Sequence, residues 1–403
     1  MPRTLYVREP LFDALWNALS GDPNLLQVVT GPRQVGKTTI ALQVHERWKG
    51  RKVYESADQP HTPDAEWIST HWKNARHLPL KAGEDTLLIL DEVQKIPRWS
   101  EVVKALVDED RRARARLRVL LLGSSALLVQ RGLAESLAGR FELHRHMQWS
   151  FKECRECFGL GLNDFLVFGG YPGALALRKD PMRWSRFVRD SLIETVIGKD
   201  VLLMSPVQKP ALLRQAFGMA CAHPAEIMSY QKMLGQLADA GNTVTIAHYF
   251  QLLAAAYLMS PLQRWSGSRI RQRGSIPKII LRDNSLVTAL ASGAMKDGKL
   301  DAAWRGRLVE NAVGAALLAS AEGDGSEVFY WRDRKDEVDF VLRRGDELIG
   351  IEVKSGRQAG ALAGAAQFKR RFPKSRLVVI GEANAGGDYE RVPLEIFFAR
   401  GSV

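Results

Sequence analysis

An α/β fold is predicted for this chain, with a parallel sheet in the N-terminal part, a helical middle and a smaller α/β unit toward the C-terminal end. Three observations predict it. Apolar runs alternate with amphipathic stretches through residues 1–165, the pattern of strands and crossover helices in a parallel sheet. Residues 206–290 read as helix, helix, helix and then a basic hairpin. From about residue 300 a helix precedes short strands.

In order, residues 25–30, 87–90 and 118–122 are near-continuous aliphatic runs, as expected of strands buried on both faces. Residues 147–151 read as a strand leading into a helix that begins near Phe151. After the Gly-Gly-Tyr-Pro-Gly punctuation at 169–173 the text turns helical to about 205, as a small lid would. Helices are expected at 209–222, 230–240 and 244–258, followed by a hairpin over 261–281, which is the order of a winged helix. A helix at 304–319 and strands at 327–331, 338–342, 348–353 and 377–380 complete the tail. The expected division is 1–165, 166–205, 206–295 and 296–403.

Composition narrows the function classes. With 46% hydrophobic and 25% charged residues, wholesale disorder, collagen and mucin-like stalks are excluded. Lys plus Arg number 57 against 45 Asp plus Glu, a net charge of +12, which favours polyanionic partners because each neutralised phosphate releases counterions. Three cysteines cannot form a disulfide framework and point to a reducing compartment. Residues 1–10 lack the apolar core of a secretory signal, and no run approaches the ~18 to 20 apolar residues of a membrane span. A cytoplasmic protein with no membrane partner is expected.

Gly31-Pro32-Arg33-Gln34-Val35-Gly36-Lys37-Thr38, with Thr39 next, satisfies G-x-x-x-x-G-K-[ST] between an apolar strand and a helix. The glycines let backbone amides wrap phosphate oxygens, and the helix presents its positive end. Lys37 then reaches the β and γ phosphates of ATP, and Thr38 holds Mg²⁺. A second apolar strand ends in Asp91 and Glu92. Asp91 supports the Mg²⁺ shell, and Glu92 orients or deprotonates the attacking water. A third ends at Gly123, followed by Ser124 and Ser125, either of which would sense the γ-phosphate if this strand lies between the other two.

These motifs, with Val93-Gln94 and Leu137-Ala-Gly-Arg140-Phe, resemble the AAA+ ATPases, in particular an archaeal-like bacterial family whose C-terminal half was long labelled a domain of unknown function. The resemblance implies an AAA+ P-loop parallel sheet with a helical lid, a winged-helix domain and a small restriction-endonuclease-like α/β domain. It also implies an oligomer, by default a hexameric ring, in which Arg140 touches the γ-phosphate held by a neighbour; an ion pair within the domain is the plainer reading of Arg140.

The hairpin carries Arg264, Arg269, Arg271 and Arg273 with Trp265 among glycines, a composition suited to phosphates and to stacking or packing at a groove edge. The preceding helix offers Thr243, Thr245, His248 and Gln251 on a face expected to be exposed. In the tail, Glu310 on a helix, Asp339 on a strand, and Glu352 and Lys354 two apart on the next strand would form an acidic, lysine-assisted metal site. This resembles the PD-(D/E)xK nuclease superfamily, with Gln367 at an auxiliary position and the motif's proline absent. His144, His146, Cys154 and Cys157 resemble a zinc set only superficially, because structural sites pair two hooks across a longer loop. The expected function is Mg²⁺-dependent ATP hydrolysis coupled to binding, moving or remodelling DNA; an ATP-gated nuclease and a nucleotide-dependent protein-docking switch are the alternatives.

Overall fold

The computed structural model describes residues 6–21, 25–123, 136–202, 207–237, 242–266, 272, 274–290, 295–296, 299–356, 362–381 and 389–403. Ser124, Ser125, Arg269, Arg271 and Arg273 lie outside the described residues. Backbone contacts divide the chain into two compact units, Met1–Met147 and Gln148–Val403.

In the first unit, α1 (Glu9–Ser20) precedes β1 (Leu26–Thr30), α2 (Lys37–Arg47), β2 (Lys52–Ser56), α3 (Ala65–Arg76), β3 (Thr86–Asp91), α4 (Trp99–Ala113), β4 (Leu117–Gly123) and β5 (Phe141–Arg145). The strands form one sheet in the order β2-β3-β4-β1-β5, every neighbouring pair parallel. Side chains of a strand alternate between faces, and both faces here are apolar. Val28, Leu88, Leu90, Val119 and Leu121 share a core with Trp72 of α3 and Val103 of α4. Val29, Leu87, Ile89, Leu120 and Leu122 share another with Phe12 of α1 and Ile40 of α2. That double burial is why these strands read as continuous aliphatic runs. β4 lies between β1 and β3.

The second unit opens with α5 (Phe151–Phe158), capped reciprocally by Ser150 and Glu153. The strand expected at 147–151 is absent; parallel pairing with β1 ends at Arg145, and Trp149 donates its N–H to the Gly170 carbonyl. After α6 (Leu162–Phe168), α7 (Pro172–Leu175) and α8 (Pro181–Phe187) the helical path continues through wide π-helical turns to Val201. Then come α9 (Pro210–Ala222), α10 (Tyr230–Leu234) and α11 (Thr243–Ala255), and the antiparallel strands β6 (Met259–Leu262) and β7 (Lys278–Leu281). The helix-helix-helix-hairpin order is as expected, although α10 stops at Leu234, ahead of Gly235, rather than at 240.

Past α12 (Asn284–Thr288), a short pair β8 (Met295–Lys296) and β9 (Lys299–Leu300) leads into the long α13 (Ala302–Asp324). A mixed sheet follows in the order β10 (Glu327–Asp333), β11 (Asp336–Arg344), β12 (Glu347–Lys354), β13 (Arg376–Gly381) and β14 (Glu390–Val392). Val309, Val313 and Leu317 of α13 share a core with Phe340, Leu342, Ile349 and Ile351. On another side, Phe368 of α14 (Ala363–Arg371) meets Trp331, Val341 and Leu377. α15 (Leu394–Arg400) adds Phe397 and Phe398 to the first of these cores.

Candidate active site

The loop from Gly31 to Gly36 joins β1 to α2 and is shaped by three backbone constraints. A Cβ on Gly31 would stand 2.0 Å from the His146 carbonyl oxygen, so glycine is needed for the chain beyond β5 to pass. Gln34 and Gly36 both have positive φ, 61° and 96°, which turns the loop back on itself. Helix α2 therefore starts at Lys37 with its first N–H groups, including those of Thr38 and Thr39, pointing toward the loop. Anion binding at such a helix start follows from orphan amides and the helix dipole acting together.

Lys37 is buried, and its Nζ donates to the carbonyls of Gly31 (3.0 Å) and Pro32 (2.6 Å). Those contacts hold the ammonium over the loop that encircles the anion site. The Thr38 hydroxyl donates to Asp91 Oδ2 at 2.9 Å, across parallel strands that bring the ends of β1 and β3 to the same edge of the sheet. Tyr54, in the middle of β2, donates its hydroxyl to the same oxygen at 2.9 Å. Burial, then the Asp91 charge, pushes the Tyr54 phenol well above its ordinary range, so it remains a neutral donor. Next to Asp91, Glu92 has φ 56° and accepts from Gln94 Nε2 at 2.6 Å. Non-glycine residues rarely adopt this backbone region, and where they do the position often serves a site.

Thr38 and Asp91 supply a hydroxyl and a carboxylate side by side, hard oxygen donors of the kind Mg²⁺ takes together with phosphate and water. The residues fit Mg-ATP. Thr38 and Asp91 would hold the metal, directly or through water, and the ion would supply neutralisation of phosphate charge.

Sequence reading missed Tyr54 and gave Gln94 and His146 no part in this site. Tyr54 looks like an ordinary aromatic strand residue; only the register Tyr54↔Ile89 and Ser56↔Asp91 brings it beside Asp91. His146 is 1% exposed, and its two ring nitrogens have no hydrogen-bond partner among the described residues. Burial, then the charges of Arg8, His144 and Lys37, lowers its pKa well below the ordinary value and keeps the ring neutral beside the loop. Arg140, at the opposite end of β5, makes a two-pronged contact with Asp108 of α4, Nε to Oδ1 at 2.8 Å and Nη2 to Oδ2 at 3.2 Å.

The second unit gathers its own acids. Glu310 of α13, Asp339 of β11, and Glu352 and Lys354 of β12 lie within reach of one another's charge, with Lys354 Nζ 3.0 Å from Glu352 Oε2. Asp339 Oδ2 accepts the Val353 N–H at 2.8 Å. Among them stands a residue the sequence reading did not single out: Lys278 of β7, fully buried, with Nζ 2.6 Å from Glu310 Oε1, 3.3 Å from Glu337 Oε1 and 3.6 Å from Asp339 Oδ1. Burial pushes Glu310 up to about 7 against the pull of Lys278, and Glu352 up to about 8 with help from Asp339. For Lys278, burial works against the charged form, but Glu310, Asp339 and Glu337 outweigh it and raise its pKa. Gln367 does not join this group and accepts from Arg370 Nε at 3.0 Å.

On the hairpin, Trp265 packs against Phe329 and Phe372, with ring centroids 5.1 and 6.5 Å apart. The indole expected to stack or pack at a groove edge is therefore half-buried and packs against an aromatic cluster of the protein itself. Arg264 is part-buried and donates its N–H to Ser275 Oγ. Thr243, His248 and Gln251 of α11 are exposed and Thr245 half-exposed.

Residues 24–155 match the family model described as AAA domain; fold, loop and paired carboxylates define this segment as an AAA-type P-loop ATPase domain. Residues 160–297 and 305–397 match two domains of unknown function, DUF8612 and DUF4143. An uncharacterized protein of Mycobacterium tuberculosis is 29% identical over 335 residues, 81% of this chain and 69% of the relative. One from Methanocaldococcus jannaschii is 21% identical over 343 residues, 79% of this chain and 72% of the relative. Among solved structures, the Aeropyrum pernix ORC1 protein in complex with DNA aligns at TM-score 0.31 and 13% identity, covering 72% of this chain and 93% of that one. A Thermotoga maritima RuvB variant aligns at 0.33 and 14%, covering 63% and 89%. TM-scores this low carry no functional argument. No helix among the described residues is long and apolar enough to cross a membrane.

Proposed function

We propose that the protein hydrolyses ATP with Mg²⁺ and couples the cycle to binding, moving or remodelling DNA. The carrying observation is the Thr38–Asp91 hydrogen bond, which joins the start of the phosphate-facing helix to the strand end bearing Glu92. In this reading Gly31 to Thr39 wrap the phosphates and Lys37 neutralises them. Asp91 supports the metal and Glu92 orients the attacking water, while Ser124 or Ser125 senses the γ-phosphate. Catalysis of phosphoryl transfer is mainly positioning and charge stabilisation, and this residue set supplies both.

The DNA part rests on charge and composition. A surplus of +12 and an arginine-bearing hairpin behind three helices support a winged-helix contact through Arg264, Arg269, Arg271 and Arg273. The helical stretch 166–205 serves as a lid, and the chain works as a ring, hexameric by default, in which Arg140 exchanges Asp108 for a neighbour's nucleotide. ATP turnover measured with duplex, single-stranded and branched DNA and with RNA tests the whole reading. Turnover that rises with DNA and vanishes in Lys37→Ala is expected. Indifference to every nucleic acid overturns the DNA assignment in favour of a protein-docking switch, and absence of turnover overturns the ATPase assignment.

A further inference from the structure

The carboxylates of the second unit resemble a divalent metal site in identity and not in occupancy. We infer that the Lys278 ammonium is the resident cation of this centre, in the place a divalent ion would need, and that the centre takes no metal and cleaves no phosphodiester. Three observations carry the inference.

The ammonium is saturated. Besides its ion pairs with Glu310 and Glu337, Nζ donates to the Asp339 carbonyl at 3.1 Å, which uses the three donors an ammonium has. It also lies 5.0 Å from the centre of the Phe340 ring, a contact that favours a cation. Mg²⁺ binds carboxylate oxygens at about 2.0–2.1 Å and keeps near-octahedral geometry. An ion bound that way to Glu310 and Asp339 would sit beside a positive charge already 2.6 Å from Glu310 Oε1 and 3.6 Å from Asp339 Oδ1.

Two further acid oxygens are also engaged. Asp339 Oδ2 accepts the Val353 amide and Glu352 Oε2 accepts from Lys354. Groups of three or more His, Cys, Asp or Glu side chains arranged to hold a metal are absent among the described residues.

Finally, the lysine is anchored at its backbone. Lys278 pairs with Leu262 in the hairpin and bridges to Ile227. Three residues on, the Leu281 N–H donates to Asn311 Oδ1 and its carbonyl accepts from Asn311 Nδ2, at 2.8 and 3.0 Å. Asn311 follows Glu310 on α13, so the helix that supplies an acid also clamps the strand that supplies its cation. The cation comes from the segment 160–297 and the acids from 305–397, so the two matched segments share one ionic centre.

Mn²⁺ binding to the full-length, nucleotide-free chain, followed by calorimetry and electron paramagnetic resonance, tests this. Wild type and Glu352→Gln should give the same Mn²⁺ isotherm, since any contribution of Thr38 and Asp91 is common to both. Lys278→Met should gain one Mn²⁺ site, at least tenfold tighter than any in wild type, that disappears in Lys278→Met/Glu310→Gln. A wild-type site, or Mn²⁺-dependent DNA nicking, that Glu352→Gln removes overturns the inference. So does a folded Lys278→Met protein that gains no site. If Lys278→Met does not fold, the comparison of wild type with Glu352→Gln still decides. None of these outcomes depends on ATP turnover.

Discussion

The two acidic sheet edges of this protein start from similar residues and end in opposite electrostatic states. At the end of β3, Asp91 is held by two neutral hydroxyls, from Thr38 and Tyr54, which orient the carboxylate without cancelling its charge. In the second unit, Glu310 and Asp339 are met by the Lys278 ammonium, which orients and cancels together. A carboxylate fixed by hydroxyls can still attract a cation; one fixed by a buried ammonium has its cation already. Counting acids therefore does not identify a metal site. The charge of the groups that position them does.

The comparison can be broken most severely at Lys278. Removing one member of a buried ion-paired group typically costs about 3–5 kcal/mol, so Lys278→Ala should lower the denaturant midpoint of the second unit sharply; a midpoint within error of wild type would mean the ammonium is not the centre's counter-charge. At the ATP site the corresponding lysine acts on ligand instead. Lys37→Ala should cut phosphate release by roughly 10²–10³-fold, the usual effect of deleting a preorganised charge donor, while the melting temperature barely moves. Glu92→Gln sharpens the contrast further: turnover should drop by about 10²-fold, as for loss of a general base, with nucleotide binding by fluorescence titration retained.

Smaller effects probe the positioning groups. Tyr54→Phe deletes one hydroxyl bond to a carboxylate, worth roughly 1.5 kcal/mol, and should weaken Mg-ATP binding about tenfold with little change in ATP binding without metal. An equal loss in both conditions would assign Tyr54 a packing role only. The last test is pH. Glu352 has a folded pKa of about 8 against an ordinary 4.5, so between those values the folded chain retains a proton that the unfolded chain has lost. Stability of the second unit should accordingly fall as pH rises through that window, by at most about 1.4 kcal/mol per pH unit for one group. Glu352→Gln, which cannot titrate, should flatten the slope, and an unaltered slope would place the proton elsewhere.

Much of the nucleotide site is legible in the amino-acid order. A contiguous loop motif needs only its own residues and flanking strand and helix, and β1, β3 and β4 advertise themselves because burial on both faces leaves no polar alternation. The order β2-β3-β4-β1-β5 brings Asp91 to Thr38 as the paired motifs imply. Tyr54 is not legible in this way, because its role arises from a strand register and not from a pattern. The tail acids are legible for the same reason as the loop: Glu352 and Lys354, two apart on one strand, share a face whatever surrounds them.

What the chain's residue order by itself determined is local: which stretches extend or coil, where backbone amides converge on an anion, and which acids lie on a common face. Those properties depend on neighbours along the chain and on periods of two and 3.6 residues. Whether an acidic cluster is an open cation site or a closed ionic core was decided only in three dimensions. Lys278 and the acids it neutralises come from separate elements, and electrostatic energy depends on distance and burial, neither of which is written in sequence spacing.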